Sequence, residues 1–211
     1  MRSKEIEQHK TQLKLTKIQR EILAGTLLGD GHLETQNDGK TYRLKIEHSI
    51  SQKDYIEWLY SHFKIWIRTE PKIKMKEGKP STYSFTTYSH GSFRFYAQKY
   101  YIGKVKHIPK NIGKMLTVRA LAVWFMDDGS IKSSKHSNVL FHTLGYDKKE
   151  LDKLQLVMLK KFNLKTSLHK QKQNHWRIYI ASESMTHFKS LVEPYILPSM
   201  MYKLGTKMPK G

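Results

Sequence analysis

The sequence predicts an α+β fold of two similar halves. Two helical segments of small and aliphatic residues each carry an aspartate directly before a glycine, in Leu23 to Glu34 (LAGTLLGDGHLE) and Leu121 to Ser130 (LAVWFMDDGS). Segments with strand periodicity and further amphipathic helices follow each of them in the same order. The two acids, Asp30 and Asp128, lie 128 − 30 = 98 residues apart. This repetition indicates an internal duplication within the 211 residues.

The first half begins with the first motif helix, after a basic arm at residues 1–15 that is polar enough to be a frayed helix. Thr16 and Gln19 form a capping-box pattern at its start, and we expect it to run to Gly29 or Asp30. The other predicted elements of this half are a strand at 42–48, a helix from its cap at Ser51 to 67, a hairpin of 72–76 with 81–89 around Glu77-Gly78, and a short helix at 92–101.

A basic segment with Pro109 and nearby glycines separates the halves, and we place the linker at residues 106–116. Thr117 is the predicted N-cap of the second motif helix. The halves then span 16–105 and 117–205, with a basic tail at 206–211. The predicted elements after the second motif are a strand at 139–144, a helix at 147–162, a hairpin of 167–171 with 176–181 and a helix at 183–192.

Matching landmarks support the duplication. Phe63 and Phe162 end the two middle helices, 33 residues after the first motif acid and 34 after the second. Lys106 and Lys203 lie 76 and 75 residues after the same acids. The two halves therefore keep the same spacing to within one residue.

The composition indicates a polyanionic partner. The chain has 38 Lys and Arg against 18 Asp and Glu, a formal charge of +20, and nucleic acid is the commonest polyanion that uses such an excess. A ribosome-associated or simply soluble basic protein fits the charge as well. The absence of cysteine excludes disulfides and thiolate zinc sites. Without a long apolar run or a signal peptide, we expect an intracellular protein that is neither secreted nor bound to a membrane.

The two motifs, LAGTLLGDG and LAVWFMDDG, resemble the motif that names the LAGLIDADG homing endonucleases. KHIP at Lys106 to Pro109 and LPSMMYKLG at Leu197 to Gly205 resemble the monomeric, intron-encoded members, and the resemblance covers residues 16–205. It implies two αββαββα halves, related by a pseudo-two-fold axis through the motif helices, whose sheets form one DNA-binding saddle. The protein is then a monomer, in bacterial cytoplasm, mitochondrion or plastid.

The resemblance implies a sequence-specific, metal-dependent endonuclease that cuts double-stranded DNA at a long asymmetric site. It cuts across the minor groove, leaves short 3′ overhangs and promotes the mobility of its own intron. Clustered carboxylates suit this chemistry because hydrolysis needs an activated water and a cation at the phosphate. Oxygen ligands without thiolates favour Mg²⁺, with Mn²⁺ as a substitute.

Site residues follow from the same resemblance. Asp30 and Asp128 are the expected metal ligands, one for each DNA strand, helped by the backbone carbonyls of Gly29 and Asp127. Asp128 is assigned the metal because it precedes glycine as Asp30 does, and Asp127 contributes its carbonyl or serves structure. Taken singly, either Asp-Gly pair fits an ordinary helix end.

Lys106 and Lys203 match positions where the family keeps basic residues around the cleavage centre. There a lysine stabilises charge on the phosphorane or lowers the pKa of an ordered water network, whereas elsewhere it is a solvated surface charge. Gly25 and Gly29 predict a close approach of the first motif helix to its partner. The second motif has larger residues at the matching positions, so we expect asymmetric packing.

The polar faces of the predicted strands are candidates for reading base edges in the major groove. The alternative is an ordinary solvated sheet face. The candidates are Arg43, Lys45 and Glu47 in the first half and Lys170, Gln171, Lys172, Gln173, Arg177 and Tyr179 in the second.

Two other functions fit the same fold. An RNA-splicing maturase would use the basic surface for intron RNA. A non-catalytic DNA-binding protein would keep the scaffold alone, although retention of both acids and both lysines counts against it.

Overall fold

A computed structural model of the chain describes residues 3–133, 136–172 and 175–205. Gln173 and the basic tail at 206–211, both named above, lie outside the described residues, as do the first two residues of the arm.

The first half contains the predicted elements in the predicted order. The capping box of the first motif helix, α2 (Lys17–Leu28), is confirmed. Thr16 N donates to Gln19 Oε1 at 2.9 Å, and Gln19 N donates to Thr16 Oγ1 at 3.2 Å. Helix α2 ends one residue earlier than expected, although Gly29 N still donates to Gly25 O at 3.2 Å. The elements are α1 (Ser3–Gln12), α2 (Lys17–Leu28), β1 (His32–Glu34), β2 (Arg43–Ser49), α3 (Lys53–Phe63), β3 (Lys72–Lys76), β4 (Lys79–Thr86) and α4 (Arg94–Tyr100).

These strands form an antiparallel sheet in the order β1-β2-β4-β3. Along β2, Leu44, Ile46 and His48 are buried while the intervening residues are more exposed, so the predicted alternation is confirmed. Strand β1 was not predicted individually because three residues are too few for a periodic signal.

Two turns show how local chemistry shapes this half. Glu77 and Gly78 have φ of 51° and 73°, which is the backbone of the predicted two-residue hairpin turn. The predicted cap at Ser51 is wrong. Ser49 instead accepts from Ser51 N at 3.4 Å, and a 3-10 turn at Ile50–Gln52 precedes α3.

The second half repeats this order, and the αββαββα sequence is confirmed for both halves. Thr117 caps its first helix, accepting from Ala120 N at 3.2 Å. The strands after α6 pair antiparallel in the order β7-β8-β10-β9. The elements are α6 (Val118–Asp128), β7 (Gly129–Ser133), β8 (His136–Phe141), α7 (Lys148–Phe162), β9 (Thr166–Lys170), β10 (Trp176–Ile180) and α8 (Met185–Val192).

The segment between the halves is structured. A hairpin of β5 (Tyr101–Ile102) and β6 (Val105–Lys106) precedes a short helix, α5 (Ile112–Met115). After α8, a 3-10 segment at Pro198–Leu204 carries Lys203.

The chain divides into two compact units. The first holds the described residues up to Leu23 together with Asp30–Gln98, and the second holds Ala24–Gly29 and the described residues from Lys99 onward. The last six residues before Asp30 thus belong with the second unit, although they come early in the chain. The division into halves at 16–105 and 117–205 stays a prediction. No helix in the described ranges is long and apolar enough to cross a membrane.

Candidate active site

Within the second unit, the end of the first motif helix packs against α6 at its glycines. A methyl group added at Gly25 would lie 2.5 Å from Ala120 O and 2.7 Å from Val123 Cβ. One added at Gly29 would lie 2.6 Å from Asp127 Oδ2. Since real Cβ atoms do not approach other atoms so closely, only glycine fits at either position. The predicted close approach is therefore confirmed for Ala24–Gly29.

The asymmetry between the motifs has a simple basis. Val123 and Asp127, which replace the glycines in the second motif, are the residues that face Gly25 and Gly29, so the two helices pair small residues with larger ones. The bulky residues between them lie in the core. Trp124 stacks on Phe141 with ring centroids 4.1 Å apart, and the rings of Trp124, Phe125 and Phe141 are fully buried.

A lysine binds the backbone near each motif acid. Lys106, at the end of β6, donates from Nζ to Gly29 O. Lys203 donates from Nζ to Asp127 O at 2.9 Å and also to Met126 O, and only 8% of it is exposed. Each lysine contacts the carbonyl directly before a motif acid. The offsets, which match to within one residue in the sequence, therefore correspond to equivalent contacts in the structure.

The neighbouring acids of the second motif have different surroundings. Asp127 is buried and faces Gly29, and its backbone oxygen accepts from Lys203. Asp128 ends α6 and is half-buried, and its Oδ2 accepts from Trp124 Nε1 at 3.1 Å. Gly129 follows because a side chain there would collide with the ring and carbonyl of Phe125.

Asp30 lies in the first unit with its side chain 49% exposed. His48 Nδ1 is 3.5 Å from its Oδ2, and the His48 side chain is buried. Asp30 is therefore an exposed carboxylate at the turn that follows α2.

Three further residues of the second unit, Tyr146, His142 and Glu150, were not identified as site residues from the sequence. Tyr146 donates to Leu28 O at 2.9 Å, and burial, followed by the Asp128 carboxylate, raises the pKa of this tyrosine. His142 Nε2 lies 3.0 Å from Ser130 Oγ, and burial, helped by the nearby cations Arg177 and Lys203, lowers the pKa of His142. Glu150 is the third and is considered below. The contacts of Tyr146 with Leu28 and of Glu150 with His107 and Ile108 join segments far apart in the sequence, so no periodic or spacing signal identifies them.

The polar face of β2 is organised by Glu47. Its carboxylate accepts from Lys74 Nζ and from Thr82 Oγ1, each at 2.8 Å, and lies 3.3 Å from Lys45 Nζ. The hydrogen bonds from Lys74 and Thr82 lower the pKa of Glu47 to about 2, against the opposing effect of burial. Arg43 pairs with Glu34 at 2.7 Å. These three predicted DNA-contacting residues thus share one face of the first sheet.

The candidates of the second half lie on and after β9 and on β10. Lys170 and Lys172 are exposed, and Gln171 N donates to His175 O at 2.7 Å in the turn. Arg177 and Tyr179 alternate with the buried Ile178 and Ile180, so they share the polar face of β10. Lys132 Nζ lies 5.9 Å from the centre of the Tyr179 ring on this face.

A family model described as the LAGLIDADG DNA endonuclease family matches residues 20–188. The chain belongs to this family. Membership confirms the class of enzyme that the sequence predicts, a DNA endonuclease that hydrolyses phosphodiester bonds.

Two relatives extend over most of this LAGLIDADG chain. Cytochrome b mRNA maturase bI2 of Saccharomyces cerevisiae is 35% identical over 199 residues, which is 87% of this chain and 46% of that protein. Probable intron-encoded endonuclease 1 of Wickerhamomyces canadensis is 34% identical over 213 residues, which is 96% of this chain and 90% of that protein. The chain thus spans about half the length of the first relative and most of the second.

Solved structures share the fold. The homing endonuclease I-WcaI, bound to its DNA recognition sequence, matches with a TM-score of 0.89 at 32% identity over 96% of this chain and 92% of that chain. I-DmoI in complex with DNA and Mn matches with a TM-score of 0.51 at 15% identity over 82% of this chain and 94% of that chain, a likeness that shows the fold alone. The α+β architecture predicted from the sequence is confirmed by these matches.

Proposed function

We propose that this chain is a monomeric homing endonuclease that cuts both strands of a long asymmetric DNA site, leaves short 3′ overhangs and promotes movement of its own intron. The observation that carries the proposal is the matched pair of lysine contacts, Lys106 to Gly29 O and Lys203 to Asp127 O. Each contact places a cation at the carbonyl directly before a motif acid, where the proposed hydrolysis builds up negative charge. The intron-encoded relative supports a location where such an intron is expressed, in bacterial cytoplasm, mitochondrion or plastid.

Asp30 and Asp128 are the proposed metal ligands, with the carbonyls of Gly29 and Asp127 as further oxygen donors. Each of these carbonyl oxygens has a second lone pair besides the one that accepts from Lys106 or Lys203. The donor set fits a hard divalent cation, since it consists of oxygen atoms without thiolates, and Mg²⁺ is the proposed ion with Mn²⁺ as a substitute. Trp124 takes one position on the Asp128 carboxylate, which has about four acceptor positions in all. When bound, such ions supply an activated water and stabilise charge at the phosphate.

The protein's own residues then position the DNA and stabilise the charge that develops on the phosphate. Lys106 and Lys203 each present an ammonium group beside a motif acid, where negative charge accumulates on the phosphate during hydrolysis. Arg43, Lys45 and Glu47 on β2, and Arg177 with Tyr179 on β10, present the polar sheet faces to the base edges. In this proposal the flanking Lys170, Gln171, Lys172 and Gln173 contact the same DNA.

The direct test uses DNA in which the two exons flanking the intron are rejoined. Purified protein with Mg²⁺ should cut both strands of this DNA. Asp30→Asn and Asp128→Asn should abolish cleavage while DNA binding persists, because the carboxylates are needed for chemistry and not for affinity. Full cleavage by both variants would overturn the proposal.

Maturase activity is a second candidate, favoured by the likeness to the Saccharomyces cerevisiae maturase. It predicts that the protein stimulates splicing of its own intron RNA. Stimulated splicing without any DNA cleavage would favour this function over the endonuclease.

A further inference from the structure

The start of α7 is bonded to the chain just after Lys106. Glu150 Oε1 accepts from Ile108 N at 2.9 Å and lies 3.0 Å from His107 Nδ1. Its other oxygen accepts from Asp147 N at 3.3 Å as part of the capping box of α7. The Glu150 side chain is only 14% exposed. One carboxylate therefore fixes the helix start and the segment that carries Lys106.

The same helix start is also bonded to the end of the first motif helix. Tyr146, which is 8% exposed, donates to Leu28 O at 2.9 Å. Leu28 directly precedes Gly29, whose oxygen accepts from Lys106. Residues 146–150 thus hold both partners of the contact between Lys106 and Gly29.

Among the described residues, the start of α3 in the first half has no equivalent carboxylate. In α7, Glu150 is the third helical residue, whereas the third residue of α3 is the fully buried Tyr55. The N-cap of α3, Gln52, makes no side-chain capping bond. Lys203 has a different environment, since it is itself buried on a 3-10 segment. Within the described part of the chain, a helix start with a capping glutamate therefore supports the Lys106 segment and not α3.

We propose that Glu150 and Tyr146 are positioning residues that hold Lys106 against the Gly29 carbonyl and thereby control cleavage of one DNA strand. The inference rests on the proposed function, in which each motif acid serves one strand. Loss of either residue frees Lys106 or the helix end while the contacts of Lys203 stay in place. DNA nicked in the other strand should then accumulate before the second cut is made.

The test compares strand-specific cleavage rates of the full chain on DNA labelled at each 5′ end. Glu150→Gln has one acceptor oxygen where the carboxylate has two, so it cannot accept from both Ile108 N and Asp147 N. It should slow cleavage of one strand by about tenfold, which is the effect of losing about one hydrogen bond. The cleavage rate of the other strand should change less than about twofold. Tyr146→Phe should slow the same strand. Asp152→Asn is the matched control, because Asp152 is an exposed acid on α7 that pairs with Lys148.

Chemical acetylation of the DNA-free protein is a second measurement. Lys106 should react more slowly than the exposed Lys104 and Lys110 in the wild type, and Glu150→Gln should raise its rate selectively. Equal slowing of both strands, or unchanged strand rates in both variants, would overturn the inference. If the wild type cut neither strand, the proposed function would fail, and unchanged Lys106 reactivity would separately overturn the positioning role.

Discussion

Lys203 Nζ donates at 2.9 Å to the backbone oxygen of Asp127, the residue directly before the motif acid Asp128. Its counterpart Lys106 contacts Gly29 O, before Asp30. The C-terminal end of a helix is its negative pole, where a carboxylate is disfavoured by a few tenths to about 1 kcal/mol. The two lysines therefore place a positive charge at the negative pole of each motif helix, beside its acid.

Lys203→Met should reduce cleavage by about 10²- to 10³-fold, the usual effect of removing one donor that stabilises transition-state charge. DNA affinity should change little, because Lys203 is buried and bonded to the protein backbone. Single-turnover cleavage and equilibrium binding without metal measure the two effects. Lys153→Met, an exposed lysine on α7, is the control and should leave both unchanged. Equal losses in the two variants would contradict the assigned role.

Gly25→Ala should destabilise the protein by about 1–3 kcal/mol, because the new methyl group would overlap Ala120 O and Val123. In a chain of this size each kcal/mol lowers Tm by about 2–4 °C. Gly91→Ala is the control, since an added methyl group there meets nothing within 4 Å. Thermal unfolding of the two variants tests the close helix packing, and equal Tm values would argue against it.

Acid should lower the free energy of unfolding, partly because it protonates Glu47. The hydrogen bond from Lys74, then that from Thr82, lowers the pKa of Glu47 from 4.5 to about 2 in the folded state. Between these values the unfolded chain binds more protons, so this contribution is present above about pH 4.5 and is lost as pH falls towards 2. Urea unfolding from pH 6 to pH 2 should show a smaller loss of stability in Glu47→Gln and in Lys74→Met than in the wild type. A parallel loss in all three proteins would contradict this role.

Trp124→Phe should weaken metal binding. Phenylalanine keeps an aromatic ring against Phe141 but removes the Nε1 donor to Asp128 Oδ2. Loss of such a supporting bond typically costs about 10- to 100-fold in metal affinity or activity. The Mg²⁺ concentration for half-maximal cleavage should rise accordingly, at a temperature where the variant remains folded. Trp58→Phe on α3 is the control, and the same rise there would show a general effect of losing an indole.

The elements with strong local signals were predicted correctly. Helices α2, α6 and α7 follow from apolar periodicity, and α2 and α6 also from caps at Thr16 and Thr117, because these signals lie within a few residues. The cap at Ser51 was wrong because Ser49 caps a 3-10 turn before the helix and the Ser51 hydroxyl donates to Ser49 Oγ. Strands β1 and β7 were not located, since pairing with β2 and β8 defines them more than their own composition does.

The sequence by itself determined the order of the elements, the two motifs, the excess of positive charge and the pair of lysines at matching offsets. Tertiary structure decided which groups these lysines contact, since the bonds span 76 and 77 positions of the chain and depend on how distant segments pack. It also decided that Val123 and Asp127 face Gly25 and Gly29, and that Glu150 supports the Lys106 segment. Spacing along a chain predicts equivalence between two halves, whereas the direction of each side chain depends on the neighbours that surround it in the folded state.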